Sequence, residues 1–203
     1  MAKGVTYRQH ANSKRAKIIP LPDQATFVQY VLAKRHGWRN AVMALLSFKA
    51  GLRACEIAGL DWTMVLDANG RVSDSIVVSN TIAKKGSGRT IPCHAELARA
   101  LRKLHGEQGG PLSGPVCRSE RGGCLSAKVV VNWFSEQYRA LGFQGCSSHS
   151  GRRTLITLAA RSLAKVGGSL KDVQELAGHR SLTTTEAYIQ GDRAIQRRLI
   201  GML

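Results

Sequence analysis

Acid is scarce in this sequence. Its 203 residues hold 13 Asp and Glu against 30 Lys and Arg, a formal net charge of +17. An excess of that size points to a polyanionic partner, and nucleic acid is the commonest one. The few carboxylates are dispersed (Asp61, Asp67, Asp74, Glu136, Asp172), so the ligand cluster of a two-metal nuclease is missing. No run of about 18 apolar residues occurs, which excludes a transmembrane helix, and no apolar core follows the N-terminus as a secretion signal requires. The five cysteines are an odd number without a C-x-x-C pair, which suits reduced thiols in a cytoplasmic protein better than a disulfide framework. Cys117, Cys124, Cys146 and His149 could be assembled into a zinc set, but their spacing is poor for it. The glycines of 106–123 lack the strand–loop–helix setting of a nucleotide-binding fold. No internal repeat is present.

What remains is a globular chain, 43% hydrophobic and 21% charged, long enough for one sizeable core. Residues 1–19 carry Lys3, Arg8, Lys14, Arg15 and Lys17 with no acid before Asp23, and read as a flexible basic arm closed by Pro20 and Pro22. An organelle transit peptide has a similar composition and is the less favoured reading. Phe27, Val28, Val31 and Leu32 recur at helical spacing up to Gly37, and Trp38, Val42, Leu45, Leu46 and Phe48 do so before Gly51. In 50–62, Ile57 and Leu60 form an apolar stripe while Arg53 and Glu56 share another face, where a surface ion pair is the plainer of two readings. From Ser75 the period changes: SIVVSNTIA, the Gly-bearing turn Lys84–Arg89 and Thr90-Ile91-Pro92 predict a β-hairpin ended by the proline. Glu96–His105 predicts an amphipathic helix, 106–123 a surface loop, and Ser126–Gly142 another capped helix.

The stretch Ser148–Tyr188 carries the densest pattern. His149 and Arg152 stand three apart at the start of a helix whose apolar run is Leu155, Leu158, Ala159 and Leu163. Ser169 opens a further helix with Asp172 as an approximate capping box and Gly178 as its stop. His179 follows at once, then a run of cap-type residues, Ser181–Thr185, and Tyr188. In the tail, Ile195, Leu199, Ile200 and Leu203 share one side.

H-x-x-R, then G-H, then a Thr cluster and a Tyr nine residues after that His resemble the C-terminal signature of the tyrosine recombinases, the phage-integrase family. Gly51, Leu52, Arg53, Glu56, Leu60 and Trp62 are similar to the family's first arginine box. The resemblance covers roughly residues 20–190, leaving 1–19 as the arm and 191–203 as an amphipathic tail. It implies a mainly α fold with a small three-stranded antiparallel β-sheet. It also implies Arg53, Lys84, His149, Arg152 and His179 as catalytic residues and Tyr188 as nucleophile. The family's lysine lies eight residues before the hairpin proline, which selects Lys84, with Lys85 close enough to compete. Two departures stand out. Gly151 occupies a position that is often apolar and is expected to loosen the turn. Arg153 replaces a frequent His, so that either Arg152 or Arg153 could claim the phosphate.

The implied reaction is transesterification of a DNA phosphodiester. A free phenol with pKa near 10 is about one part in a thousand ionised at pH 7, so the nucleophile needs a base or nearby cations. Two guanidiniums can fork onto the non-bridging oxygens as negative charge gathers there. His149 would relay the tyrosine's proton, His179 would donate to a non-bridging oxygen, and Lys84 would protonate the departing 5′-oxygen. The 3′-phosphotyrosyl product keeps the ester's energy, so neither metal nor nucleotide is expected as cofactor. The implied partners are double-stranded DNA and further copies of the chain in a four-subunit synapse. Nineteen residues are too few for the N-terminal clamp domain usual in the family, so an accessory DNA-binding protein is a further candidate. A prokaryotic, phage or plasmid protein of the nucleoid is the expected setting. Rival readings are a type IB topoisomerase-like nicking–closing enzyme and a non-catalytic DNA-binding accessory factor.

Overall fold

Nine consecutive residues of α2 (Gly37–Lys49), from Asn40 to Phe48, are buried, which makes it the central helix of the domain. The structure, a computed structural model, describes residues 16–188 together with Arg197, Ile200 and Gly201, apart from the side chain of Lys85. Around α2 pack α1 (Leu21–Leu32), α4 (Ala95–Glu107) and α6 (Ser150–Val166). The short α3 (Ala54–Gly59) packs on α5 (Ala127–Ala140), while α7 (Leu170–Ala177) touches α6, the hairpin and α8 (Leu182–Glu186). Most buried apolar side chains form one cluster. A second, small cluster of Ile156, Val173 and Ala177 lies between α6 and α7, with Tyr188 packed against it.

The mainly helical class with a small antiparallel sheet is as expected, but the sheet has two strands rather than three among the described residues. β1 (Ser75–Val78) pairs with β2 (Arg89–Pro92) in the register Ile76↔Ile91 and Val78↔Arg89. A candidate third strand is cut short by the turn at Asp67, whose carboxylate accepts the N–H groups of Asn69 and Arg71; one bridge, Leu66↔Val72, is left. The proline is the last residue of β2, where the strand was expected to end. The chain between the strands is longer than a hairpin turn and holds a 3₁₀ turn at Lys84–Gly86.

Two further expectations are corrected. The 106–123 segment is not wholly superficial: Val116 and Cys117 are buried, and Val116 N–H donates to the Leu60 carbonyl at 2.9 Å. Of the arm, residues 1–15 lie outside the described residues, but 16–19 are bound to the domain. Arg153 donates to the Ala16 carbonyl at 2.8 Å, Ile19 N–H to Thr154 Oγ1 at 2.8 Å, and Ile19 is buried. The tail reading falls largely outside the described residues, although Ile200 is exposed.

The buried face of α6 is also not its apolar run. Ser150, Gly151, Arg152, Thr154 and Thr157 face inward with Ile156, while Leu158 is exposed. Gly151 explains the close approach: a Cβ there would lie 2.3 Å from Ser47 Oγ and 2.6 Å from Phe48 Cδ1 on α2. The residue that was expected to loosen the turn lets two helices meet. Gly151→Ala gains helix propensity of ~1 kcal/mol, yet overpacking of this kind costs about 1–3 kcal/mol. We expect the variant to unfold at lower denaturant. An unchanged or raised midpoint would show that α6 can move off α2 freely.

Candidate active site

Glu56 is a fully buried carboxylate at the start of α3, and two arginines are bonded to it. Its Oε2 accepts the backbone N–H of Arg53 at 2.9 Å, and its Oε1 accepts Arg53 Nη1 at 2.8 Å. Arg89, arriving from β2, donates Nη1 to Oε1 and Nη2 to Oε2, each at 3.0 Å. The Arg53–Glu56 pair is present, but as part of a buried network rather than on the surface. Burial alone would raise the Glu56 carboxyl; Arg89 and Arg53 outweigh it and hold it below the usual carboxylate range.

Arg152 enters from the first turn of α6 and is 3% exposed. Its Nη1 donates to the Gly51 carbonyl at 2.7 Å and its Nη2 to the Ala177 carbonyl. Gly51, at φ +62°, makes the turn between α2 and α3 that presents this carbonyl beside Arg53. Burial, then Arg53 and Arg89, lower the Arg152 guanidinium to about 10, which leaves it charged at neutral pH. Five N–H groups sit on a guanidinium, so Arg152 keeps donors beyond the two that fix it. Arg53, too, has Nε and Nη2 without a protein partner among the described residues. Arg153 is turned away to the Ala16 carbonyl. Of the two arginines left open by the sequence, Arg152 is the one beside Arg53 and Arg89.

The end of α7 brings in His179. Ser169 donates its N–H and hydroxyl to Asp172 at 2.7 and 2.9 Å, completing the expected box, and Gly178 ends the helix at φ +61°. His179 is buried, and its Nδ1 lies 3.0 Å from the hydroxyl of Thr185, itself fully buried. Burial and the charges of Arg152, Arg53 and Arg89 lower the imidazole to about 4. It is neutral at pH 7, and with Nδ1 engaged, Nε2 is the nitrogen left for a ligand. Tyr188 stacks on this ring at 5.5 Å between centroids, with 26° between the planes. Its backbone N–H is anchored on the Thr185 carbonyl at 3.0 Å.

His149 caps the start of α6, and its imidazole is lowered by desolvation, then by Arg152, Arg53 and Lys84. Lys84 is exposed on the 3₁₀ turn between the strands, within electrostatic reach of His149. The side chain of Lys85 lies outside the described residues. All six residues singled out from the sequence thus gather at one place, where the hairpin, α3, the start of α6 and the end of α7 meet. The zinc set does not: among the described residues, no three of His, Cys, Asp and Glu converge as metal ligands.

Three residues that matter here were not read from the sequence in these roles. Glu56 is the buried counter-ion, Arg89 its second partner, and Thr185 the group that holds His179. A signal for Arg89 existed. Two residues before the buried Ile91, it shares that residue's face of β2, and a cation on a core face requires a partner.

Residues 22–194 match the family model described as the phage integrase family, and the chain belongs to that family. Among curated relatives it is 30% identical over 179 residues to the tyrosine recombinase XerC of Xylella fastidiosa strain M23, covering 88% of this chain and 58% of that one. It is 33% identical over 160 residues to XerC of Rhizobium meliloti strain 1021, covering 77% and 46%. The chain thus spans about half the length of such relatives. In fold it is similar to a Tn1549 transposon integrase in complex with transposon right end DNA, with TM-score 0.71 at 17% identity, covering 97% of this chain and 68% of that one. The integrase of mycobacterium phage Brujita is 29% identical at TM-score 0.55, covering 89% and 56%. Among the described residues no helix is long and apolar enough to cross a membrane.

Proposed function

We propose that this chain cuts and rejoins double-stranded DNA, with Tyr188 as the nucleophile. The observation that carries the reading is the placement of Arg53 and Arg152. Each is fixed by hydrogen bonds to the protein, each keeps N–H donors to spare, and both lie beside the His179–Tyr188 stack. A phosphodiester seated between them would receive paired donors on its non-bridging oxygens as charge gathers there.

The phenolic oxygen of Tyr188 attacks phosphorus, and the bond to the 5′-oxygen breaks. His149, disfavoured as a cation by burial and then by its cationic neighbours, accepts the phenol proton. His179, also neutral, offers Nε2–H to a non-bridging oxygen. Lys84 on its exposed turn gives a proton to the departing 5′-oxygen. The 3′-phosphotyrosyl ester then takes a 5′-hydroxyl from another strand, with the protons returned in reverse. Copies of the chain assemble on DNA for that exchange, in the cytoplasm with the nucleoid.

The test is capture of the protein on a nicked suicide duplex, in which the short 5′-fragment diffuses away. We expect a covalent adduct to accumulate in EDTA and without nucleotide, because each proton transfer and charge contact above is assigned to a side chain. A chemical step strictly dependent on added magnesium would sink the mechanism.

A further inference from the structure

Arg89 has no place in the reaction just described, yet its side chain is 5% exposed and its three nitrogens all donate. Two of them fork onto the two oxygens of Glu56, the carboxylate that also holds Arg53. The third, Nε, donates to the carbonyl of Leu176 at 3.0 Å. Arg152 takes the carbonyl of the next residue, Ala177. These are end carbonyls of α7, which lack helical partners and carry the negative end of the helix dipole. Directly after them come Gly178 and His179.

The packing is close as well as hydrogen-bonded. A Cβ on Gly178 would lie 2.8 Å from Arg89 Cδ, so the guanidinium stem runs against the turn that presents His179. Through its own backbone, Arg89 is paired with Val78 at the end of the sheet, five residues from Lys84. One side chain therefore ties together three pieces of chain distant in sequence: the hairpin, the start of α3 and the end of α7.

We infer that Arg89 is a positioning residue: its guanidinium sets Arg53 through Glu56 and His179 through the Leu176 carbonyl, without touching DNA itself. The inference rests on the function proposed above. Arg89 is not a phosphate contact, since a side chain so enclosed has no face for a backbone phosphate. Lysine cannot replace it. An ammonium on a flexible stem keeps the charge but cannot reach both carboxylate oxygens and a carbonyl in one plane.

The decisive variant is Arg89→Lys, which retains the buried charge opposite Glu56, with Arg89→Met beside it. Three quantities are read on the full chain: DNA binding, single-turnover adduct formation on the suicide duplex, and peptide-resolved hydrogen exchange. We expect Arg89→Lys to bind DNA nearly as the parent does but to form adduct about 100-fold more slowly, the scale of a small misplacement of reacting groups. Exchange should rise in the peptides covering 174–188 and stay unchanged in α1. Adduct formation at the parental rate would overturn the inference. So would binding that falls in parallel with cleavage, which makes Arg89 a phosphate contact. Exchange raised equally throughout would make it an ordinary core ion pair. If the parent itself forms no adduct, the proposed reaction fails. The exchange contrast between 174–188 and α1 still decides whether Arg89 holds the end of α7.

Discussion

Tyr188→Phe should abolish covalent attachment to DNA while leaving non-covalent binding nearly unchanged. The substitution removes one hydroxyl and keeps the ring, so the stack on His179 and the packing against Ile156, Val173 and Ala177 survive. Folding is therefore not the variable. Two other tyrosines in the described residues are poor substitutes. Tyr138 is buried in the aromatic cluster, and burial pushes its phenol far above the usual range. Tyr30 lies on α1 beneath Lys34, at 4.2 Å from its ammonium and on a helix that contributes nothing to the site. Tyr7 lies outside the described residues. Adduct persisting in the Phe variant, or mapped by peptide mass to Tyr7, Tyr30 or Tyr138, would remove Tyr188 from the nucleophile's place.

Arg53→Ala and Arg152→Ala should each lower the rate of adduct formation by about 100-fold or more, the scale of a lost oxyanion donor. Their side effects should differ, and the structure says how. Arg152→Ala leaves the carbonyls of Gly51 and Ala177 unpaired, at about 1–3 kcal/mol for each buried group, so its melting temperature should fall clearly. Arg53→Ala leaves Glu56 still forked by Arg89, so its stability should fall less. Lysine at either position should restore little, because a point charge cannot donate in a fork. Cleavage and binding that decline together would make both residues ordinary phosphate contacts. Lysine variants with near-parental rates would show that charge alone is enough.

The legible parts of this chain are those whose cause is local. Gly178 ends α7 because a left-handed residue is needed there, and Ser169 with Asp172 caps its start; both are decided within a few residues. The spacing from His179 to Tyr188 is bridged by the single short helix α8, so the stack between them is written in ten consecutive positions. Helices α1, α2, α4 and α5 followed from apolar period and terminal residues for the same reason.

What the sequence by itself determined is the set of chemical groups, their charge and the helical frame that holds them: a cationic surplus and six candidate side chains, one of them a tyrosine nine residues after a histidine. What only the tertiary structure decided is which group pairs with which. Glu56 reads as half of a surface pair until Arg89 is brought to it from 33 residues away. Arg152 and Arg153 are adjacent and alike until one meets the end of α7 and the other the backbone at Ala16. Gly151 reads as a weak helix residue until Ser47 and Phe48 of α2 stand against it. The physical reason is common to all three. Hydrogen bonds and close contacts between distant segments depend on how elements pack, and nothing in the local period or propensity of either segment encodes its partner.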